Sequence, residues 1–331
     1  PTAGSAAMTE AEQTAAKPEH AVLVAGETLI DFIPNSTGSL TGVETFHRRA
    51  GGAPTNVAVG LERLGETPLL CTTLSTDPFG EFLATRLRNE GLPERFITRV
   101  DNPTALAFVS HGSTADREFS FYREHTADTV LRTDVVDDDT LSAVDWVVVG
   151  GVTLTTDPAR AATFELVERA KSAGCKIVFD PNTRPELWGD DMTHTFERML
   201  DKTDVLKATR ADFDPTGIDA DGDGFADRLL TTGPAVVLLT AGAAGAHAVA
   251  AAGSIWGRGE WHHSGYEVET VDTTGAGDAF LAGAITALTE HRDPTETLRI
   301  ANAVAALATT GDGAMTALPH RTAVDRLVET R

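Results

Sequence analysis

An α/β protein is predicted, with a central, mostly parallel sheet flanked by helices on both faces and a small β-sheet lid. Three observations predict it. From Trp146 onward, apolar runs of strand length alternate with segments of helical periodicity, the pattern of a parallel sheet covered on both sides. The first half carries β-prone segments outside that rhythm, which fit a small projecting sheet. The 331 residues are 41% hydrophobic, enough for a sizeable core in one large domain.

The elements follow in order. Ala21–Ala25 is a short apolar run ending at Gly26, a first strand. A polar, β-prone region continues to about Arg49. Val57, Leu61 and Leu64 then recur at helical spacing, and Gly65 stops that helix. Pro68–Leu74 reads as a strand and Phe79–Asn89 as a helix ended by Gly91. Ala107–Val109 and Phe119–Phe121 flank the turn-rich His111–Asp116, a hairpin signal. The lid is expected over approximately residues 28–50 and 102–125. Strand Trp146–Val149, helix Ala159–Ala173, strand Lys176–Phe179, helix Met192–Leu200 and strand Val205–Lys207 then alternate. A helix near Phe225–Leu230, strands Val236–Leu239 and His247–Ala251, a strand ending near Val271, and helices Ala279–Thr289 and Thr295–Thr309 complete the reading. Residues 21–331 form the expected domain. Residues 1–20 lack a basic segment followed by an apolar one, so they read as a disordered tail and not a signal peptide.

Charge excludes one class of partner. Acidic residues outnumber basic ones 49 to 27, for a net charge of −22 and a pI near 4.7. Nucleic-acid binding wants a basic surface, so it is not expected. Only 5 of the 27 basic residues are lysines. Many carboxylates with few lysines suit a salt-rich cytosol that screens self-repulsion, so a halophilic source is expected; an ordinary acidic protein from a high-GC genome is the alternative. Cys71 and Cys175 lie in apolar stretches and read as buried free thiols of a reducing, cytoplasmic compartment. No apolar run is long enough to span a bilayer. Asp219–Gly224 resembles the start of a calcium loop, but its twelfth position is Leu230 where a glutamate is needed, so it reads as a flexible acidic loop.

The chemistry concentrates at Thr270–Phe280. The run Asp272-Thr273-Thr274-Gly275-Ala276-Gly277-Asp278 leads from a glycine-rich turn into an apolar helix. Gly275 and Gly277 let backbone N–H groups converge, and the helix N-terminus adds partial positive charge. Together they suit an anion, or charge developing on a transferring phosphoryl group. Asp278, in the first helical turn, can accept a proton from an attacking hydroxyl. Locally, Asp278 reads equally as a helix N-terminal acid that stabilises the dipole. A dinucleotide fingerprint is disfavoured, because Phe280 stands where a third glycine belongs.

This run resembles the second signature of the ribokinase-like (PfkB) sugar kinases, most like the fructokinases. Ala50-Gly51-Gly52-Ala53-Pro54-Thr55-Asn56, continuing to Gly65, resembles the first. The resemblance spans roughly residues 21–320. It implies a ribokinase-like fold, with Asp278 as the catalytic base and Gly275, Ala276 and Gly277 as the anion hole. It implies that Asp31, Gly51, Gly52, Asn56, Tyr122, Arg123 and Arg184 meet the sugar. On the nucleotide side it implies Asn182, Lys207, Thr209, Thr240, Gly242, Gly245 and Asn302. Asp272 and Thr274 match a monovalent-cation site, where potassium would bind. Thr209 and Asp212 replace the family's usual Asn and Glu, which leaves a magnesium-linked role for Asp212 in doubt. ATP and Mg²⁺ are the implied cosubstrate and metal.

Several stretches look most like fructokinases: Gly51–Pro54, Arg117–Arg123, Ala127-Asp128 and Asp180–Trp188. The expected reaction is therefore ATP-dependent phosphorylation of fructose to fructose 6-phosphate. A 2-keto-3-deoxygluconate kinase is the alternative, with Arg123, Arg184 and Arg48 or Arg49 as carboxylate clamps. A nucleoside kinase comes third, and a sugar-binding regulatory protein is the non-enzymatic alternative. Unpaired lid edges and apolar lid faces lead to the expectation of a homodimer formed through the lid.

Overall fold

A computed structural model describes residues 21–36, 38–111, 117–222 and 224–330; the expected tail, 1–20, lies outside them. The strands of the first half are β1 (Val22–Ala25), β2 (Leu29–Pro34), β3 (Phe46–Gly51), β4 (Leu69–Ser75), β5 (Ile97–Val100), β6 (Leu106–His111) and β7 (Arg117–Tyr122). Those of the second are β8 (Trp146–Gly150), β9 (Lys176–Asp180), β10 (Val205–Ala208), β11 (Val236–Thr240), β12 (Ala246–Ala250) and β13 (Gly259–His263). The helices are α1 (Ala53–Arg63), α2 (Pro78–Asn89), α3 (Asp138–Ala143), α4 (Ala159–Ala173), α5 (Met192–Lys202), α6 (Phe225–Leu230), α7 (Ala276–Thr289), α8 (Pro294–Ala308) and α9 (Arg321–Glu329).

Two sheets result. The larger runs β13-β12-β11-β10-β9-β8-β1-β4-β5, and the smaller runs β3-β2-β6-β7. From β5 to β11 the large sheet is parallel, and β12 and β13 add an antiparallel edge. Strand β1 shows why the hydrophobic run is continuous. Val22 and Val24 enter the core on one face, Leu23 and Ala25 the core on the other, as a period of two requires. The chain leaves β1 toward β4 on one side and later fills β8 to β11 on the other. That reversal opens a crevice at the carboxyl ends of the strands, where α/β sheets bind ligands.

The smaller sheet comes close to that crevice through Phe119 of β7, whose ring lies 5.2 Å from the Arg184 guanidinium. Its register puts Asp31, Ala107 and Phe121 on one face, and Phe32, Phe108 and Tyr122 on the other. The second face is aromatic: Phe32 stacks on Phe108 at 4.8 Å, and Phe46 and Tyr122 pack edge-on against Phe108 at 5.4 and 5.5 Å.

Two expectations need correction. No strand precedes the glycine-rich turn among the described residues. The amides of Val271 and Asp272 instead donate to the Thr309 carbonyl just past α8, and Val271 is exposed. The acidic loop expected to be flexible is tied at residues 219–222: Arg210 donates to the Ala220 and Gly222 carbonyls, and Arg228 to those of Asp219 and Asp221. Strands β5 and β13 and helices α3 and α9 also lay outside the predicted set. Strands β5 and β13 are the two edges of the large sheet, and α3 and α9 are short helices of 6 and 9 residues.

Candidate active site

The site is assembled where parallel strands β1, β9, β10 and β11 end and helices α1 and α7 begin. Helix α1 starts at Ala53, where Pro54 suits the first turn. Helix α7 starts at Ala276, behind Gly275 at φ 78°. Only glycine takes that left-handed conformation freely, and a Cβ there would also lie 2.7 Å from Ala314 Cβ. The Ala276 amide turns back to the Thr273 carbonyl, and the first helical bond runs from Ala279 N to Gly275 O. The amides of Gly277 and Asp278 are therefore helix-start donors without an intrahelical acceptor.

Asp278 is buried, and its Oδ2 accepts from Asn56 Nδ2 at 2.8 Å. One helix thus supplies the carboxylate and the other the amide that holds it. Asn56 Oδ1 is buried without a protein hydrogen-bond partner. Burial pushes Asp278 up to about 6; the Asn56 hydrogen bond opposes that, Asp180 adds to it, and Lys207 and Arg184 oppose it. Burial, and then the charge of Asp278, pushes Asp31 up to about 7. Gly51 makes room for Asp31, since a Cβ there would stand 1.9 Å from Asp31 Oδ2.

Two cations stand beside these carboxyls. Lys207 Nζ bonds Asp180 Oδ2 at 2.8 Å, with both side chains buried. Arg184 donates to the carbonyls of Asn182 and Thr183, and its guanidinium lies 5.2 Å from the Phe119 ring of the lid. Asn182 has φ 38°, and its amide donates to Asp180 Oδ1 at 3.2 Å. A buried base, an amide-lined helix start and a lysine in one crevice form a set suited to phosphoryl transfer, which needs positioning and charge stabilisation above all.

Residues 19–321 match the pfkB family carbohydrate kinase description. The chain belongs to that family. As a pfkB kinase it is a phosphotransferase with an alcohol acceptor. It is 32% identical over 318 residues to fructokinase-1 of Zea mays, covering 92% of this chain and 96% of the relative. Among solved structures it resembles a fructokinase from Xylella fastidiosa with bound ATP, at TM-score 0.82 and 30% identity, covering 94% and 98% of the two chains. A Vibrio cholerae fructokinase in fructose-, ADP- and potassium-bound form aligns at TM-score 0.81 and 27% identity, covering 94% and 99%.

The pfkB kinase brings Asp31, Gly51, Asn56, Arg184, Lys207, Gly275, Gly277 and Asp278 into this crevice; Gly52 is the N-cap of α1, at φ 108°. Thr240 ends β11, beside the strand of Lys207, and Gly242 and Gly245 shape the turn that follows. Asp272 Oδ1 accepts from Thr274 N and Oγ1, and its Oδ2 from Gly313 N. This carboxylate ties the turn before α7 to the loop after α8.

Three of the expected contacts fall elsewhere. Tyr122 is 65% exposed and sits on the lid face opposite Asp31, because the pleat alternates. Arg123 turns inward: Nε donates to Asp128 Oδ2, and Nη1 to Thr155 Oγ1 at 2.7 Å. Asn302 is buried within α8 and gives its amide to the Leu298 carbonyl. Asp212 braces the neighbouring loop, with Oδ1 accepting from Thr183 N and Oδ2 from Thr209 N and Oγ1, each at 2.7 Å.

Two residues were missed. Glu27 Oε1 accepts from Ala53 N, and the Glu27 carbonyl accepts from Thr55 Oγ1, so this residue seats the start of α1. Asp180 holds Lys207. Their signals were the Gly26-Glu27 step at the end of β1 and the acidic residue closing β9, both at carboxyl ends of parallel strands.

Proposed function

We propose that this pfkB kinase transfers the γ-phosphoryl group of ATP to fructose, giving fructose 6-phosphate. The observation that carries the reading is the Asn56–Asp278 pair at the start of α7. Asp278 takes the proton of the sugar hydroxyl, whose oxygen bonds phosphorus as the bond to the leaving ADP oxygen breaks. The Gly277 and Asp278 amides stabilise charge on the transferring group. Asp31 and the free Asn56 Oδ1 accept from sugar hydroxyls, and Arg184 closes the lid side.

Fructose is favoured by the fructokinases that resemble the chain over nearly its whole length. Of the arginines that could clamp a substrate carboxylate, Arg123 is paired with Asp128, Arg49 pairs with Asp312, and Arg48 lies 3.8 Å over the Phe82 ring, which leaves Arg184 as the candidate clamp that faces the crevice. No group of three or more His, Cys, Asp or Glu side chains forms a metal cage among the described residues. Mg²⁺ is usually held by one or two carboxylates plus substrate phosphates. Asp212, whose oxygens accept from Thr183 and Thr209, would reach the metal through a water, and the metal would neutralise phosphate charge when bound. Potassium beside Asp272 and Thr274 would stabilise the turn that starts α7. The aromatic lid face suits a homodimer, and the acidic composition suits a salt-rich cytoplasm.

The test is a coupled assay of ADP release with Mg-ATP in molar KCl, offering fructose, 2-keto-3-deoxygluconate, ribose and inosine in parallel. Selective turnover of fructose is expected, and Asp278→Asn should lower kcat by about 10²–10⁴-fold while sugar binding persists. Selective turnover of the keto-deoxy acid would overturn the fructose assignment. Substantial activity in Asp278→Asn would overturn the base.

A further inference from the structure

Strand β3 is tied to the body on both of its faces. Arg48 stands opposite Phe32 on the aromatic face of the lid sheet, and its guanidinium lies 3.8 Å from the centre of the Phe82 ring of α2. Arg49 points the other way, as a period of two requires. It stands directly opposite Asp31, so the two share a face. Its Nη2 donates to Asp312 Oδ2 at 2.8 Å, and the two side chains are 36% and 62% exposed. Exposed pairs contribute little to stability, but this one joins segments 263 positions apart. The loop it reaches is the one that braces α7. The next amide, Gly313 N, donates to Asp272 Oδ2 at 3.0 Å, and Asp272 holds the turn before α7. Ala314 then packs on Gly275, where a Cβ would stand 2.7 Å from Ala314 Cβ. Three consecutive residues thus connect the lid strand beside Asp31 to the turn that leads to Asp278.

We propose that Arg49 is a positioning residue, whose ion pair with Asp312 fixes the lid against the loop that braces α7 and so sets the separation of Asp31 from Asp278. This rests on the fructose-kinase reading above. Asp31 belongs to the lid and Asp278 to the body, and the sugar must meet both. A lid that is free to shift spends less time in the arrangement that binds sugar, and the apparent affinity falls with the fraction of chains in that arrangement. Arg49 itself is not aimed at the sugar: the cation whose charge acts on Asp31 is Arg184. Saturating sugar restores the arrangement, and chemistry at Asp278 proceeds as before. Loss of the pair therefore weakens sugar binding and spares turnover.

Arg49→Gln, Asp312→Asn and the double variant form a mutant cycle on the full chain. Each single change should raise the fructose KM by about 2–5-fold, with kcat and the ATP KM unchanged. Titration calorimetry with fructose alone should show the same weakening without turnover. The double variant should bind no more weakly than either single one, because both remove the same pair. Additive losses would mean that the two residues act separately and would overturn the proposal. Weaker binding in Arg49→Gln with Asp312→Asn unaffected would make Arg49 a direct sugar contact and overturn the positioning role. A lower melting temperature with KM unmoved would leave the pair purely structural and overturn it too. Wild-type turnover of fructose with unmoved KM in the variants would sink this proposal alone. If the wild type neither bound nor turned over fructose, the fructose-kinase reading would fall and this proposal with it.

Discussion

The hydrogen bond from Asn56 to Asp278 works against the burial that raises this carboxyl to about 6. A base must be deprotonated, so kcat/KM for the sugar should fall as pH drops through about 6. Removing the amide removes a group that favours the charged form. Asn56→Ala should therefore move that acid limb to higher pH, which a pH–rate profile reads directly; an unmoved limb would mean that the pair does not set the ionisation. Asp31 is coupled to the same charge, so the limb belongs to the pair of carboxyls. Arg123 shows how residue type misleads at this scale. A cation near a sugar site reads as a ligand, yet Asp128 and Thr155 claim it from separate segments, and sequence spacing does not reveal them.

Helix starts and helix contacts decide how well the site is held. Asp77 caps α2 by accepting from the Gly80 amide at 2.7 Å, and it also accepts from the Thr104 amide and hydroxyl at 2.8 and 2.6 Å. One carboxylate thus joins a body helix to the chain entering lid strand β6. Asp77→Ala should lower stability by about 1–3 kcal/mol by denaturant unfolding. Helices α1 and α7 pack closely, since a Cβ on Gly60 would meet Ala282 Cβ at 2.7 Å. Gly60→Ala should cost about 1–3 kcal/mol of stability and also lower kcat, because a shifted α7 carries Asp278 with it. Lost stability with unchanged kcat would show that the two helices adjust without moving the base.

Across the whole molecule, charge and buried carboxyls act in the same direction. Burial raises Glu27, Asp31 and Asp278 to about 7, 7 and 6 from ordinary values of 4.5, 3.8 and 3.8. A carboxyl with a raised folded-state pKa binds its proton more tightly in the folded chain, so stability falls as pH rises from about 4 through about 7. The net charge of −22 grows more unfavourable over the same range. The melting temperature should therefore be lower at pH 8 than at pH 5.5 in low salt. Molar KCl should shrink that difference without abolishing it, because salt screens surface charge and reaches buried groups far less. A difference that vanished in KCl would remove the buried carboxyls from the account.

The fold and the two signatures were legible in the sequence because both are local. Strand alternation, helical spacing and the Gly275–Asp278 turn each lie within a few residues, and the α4 and α6 ends fell where the pattern put them. The missing strand near Val271 marks the limit: its donors pair with Thr309, which lies far along the chain. Tyr122 was misplaced because lid register, and not motif, decides which face a strand residue occupies. The partners of Arg123, Asp212 and Lys207 were settled only in three dimensions. A buried charge must find a counter-charge or donors wherever the packed chain offers them, and that choice is made by the fold as a whole.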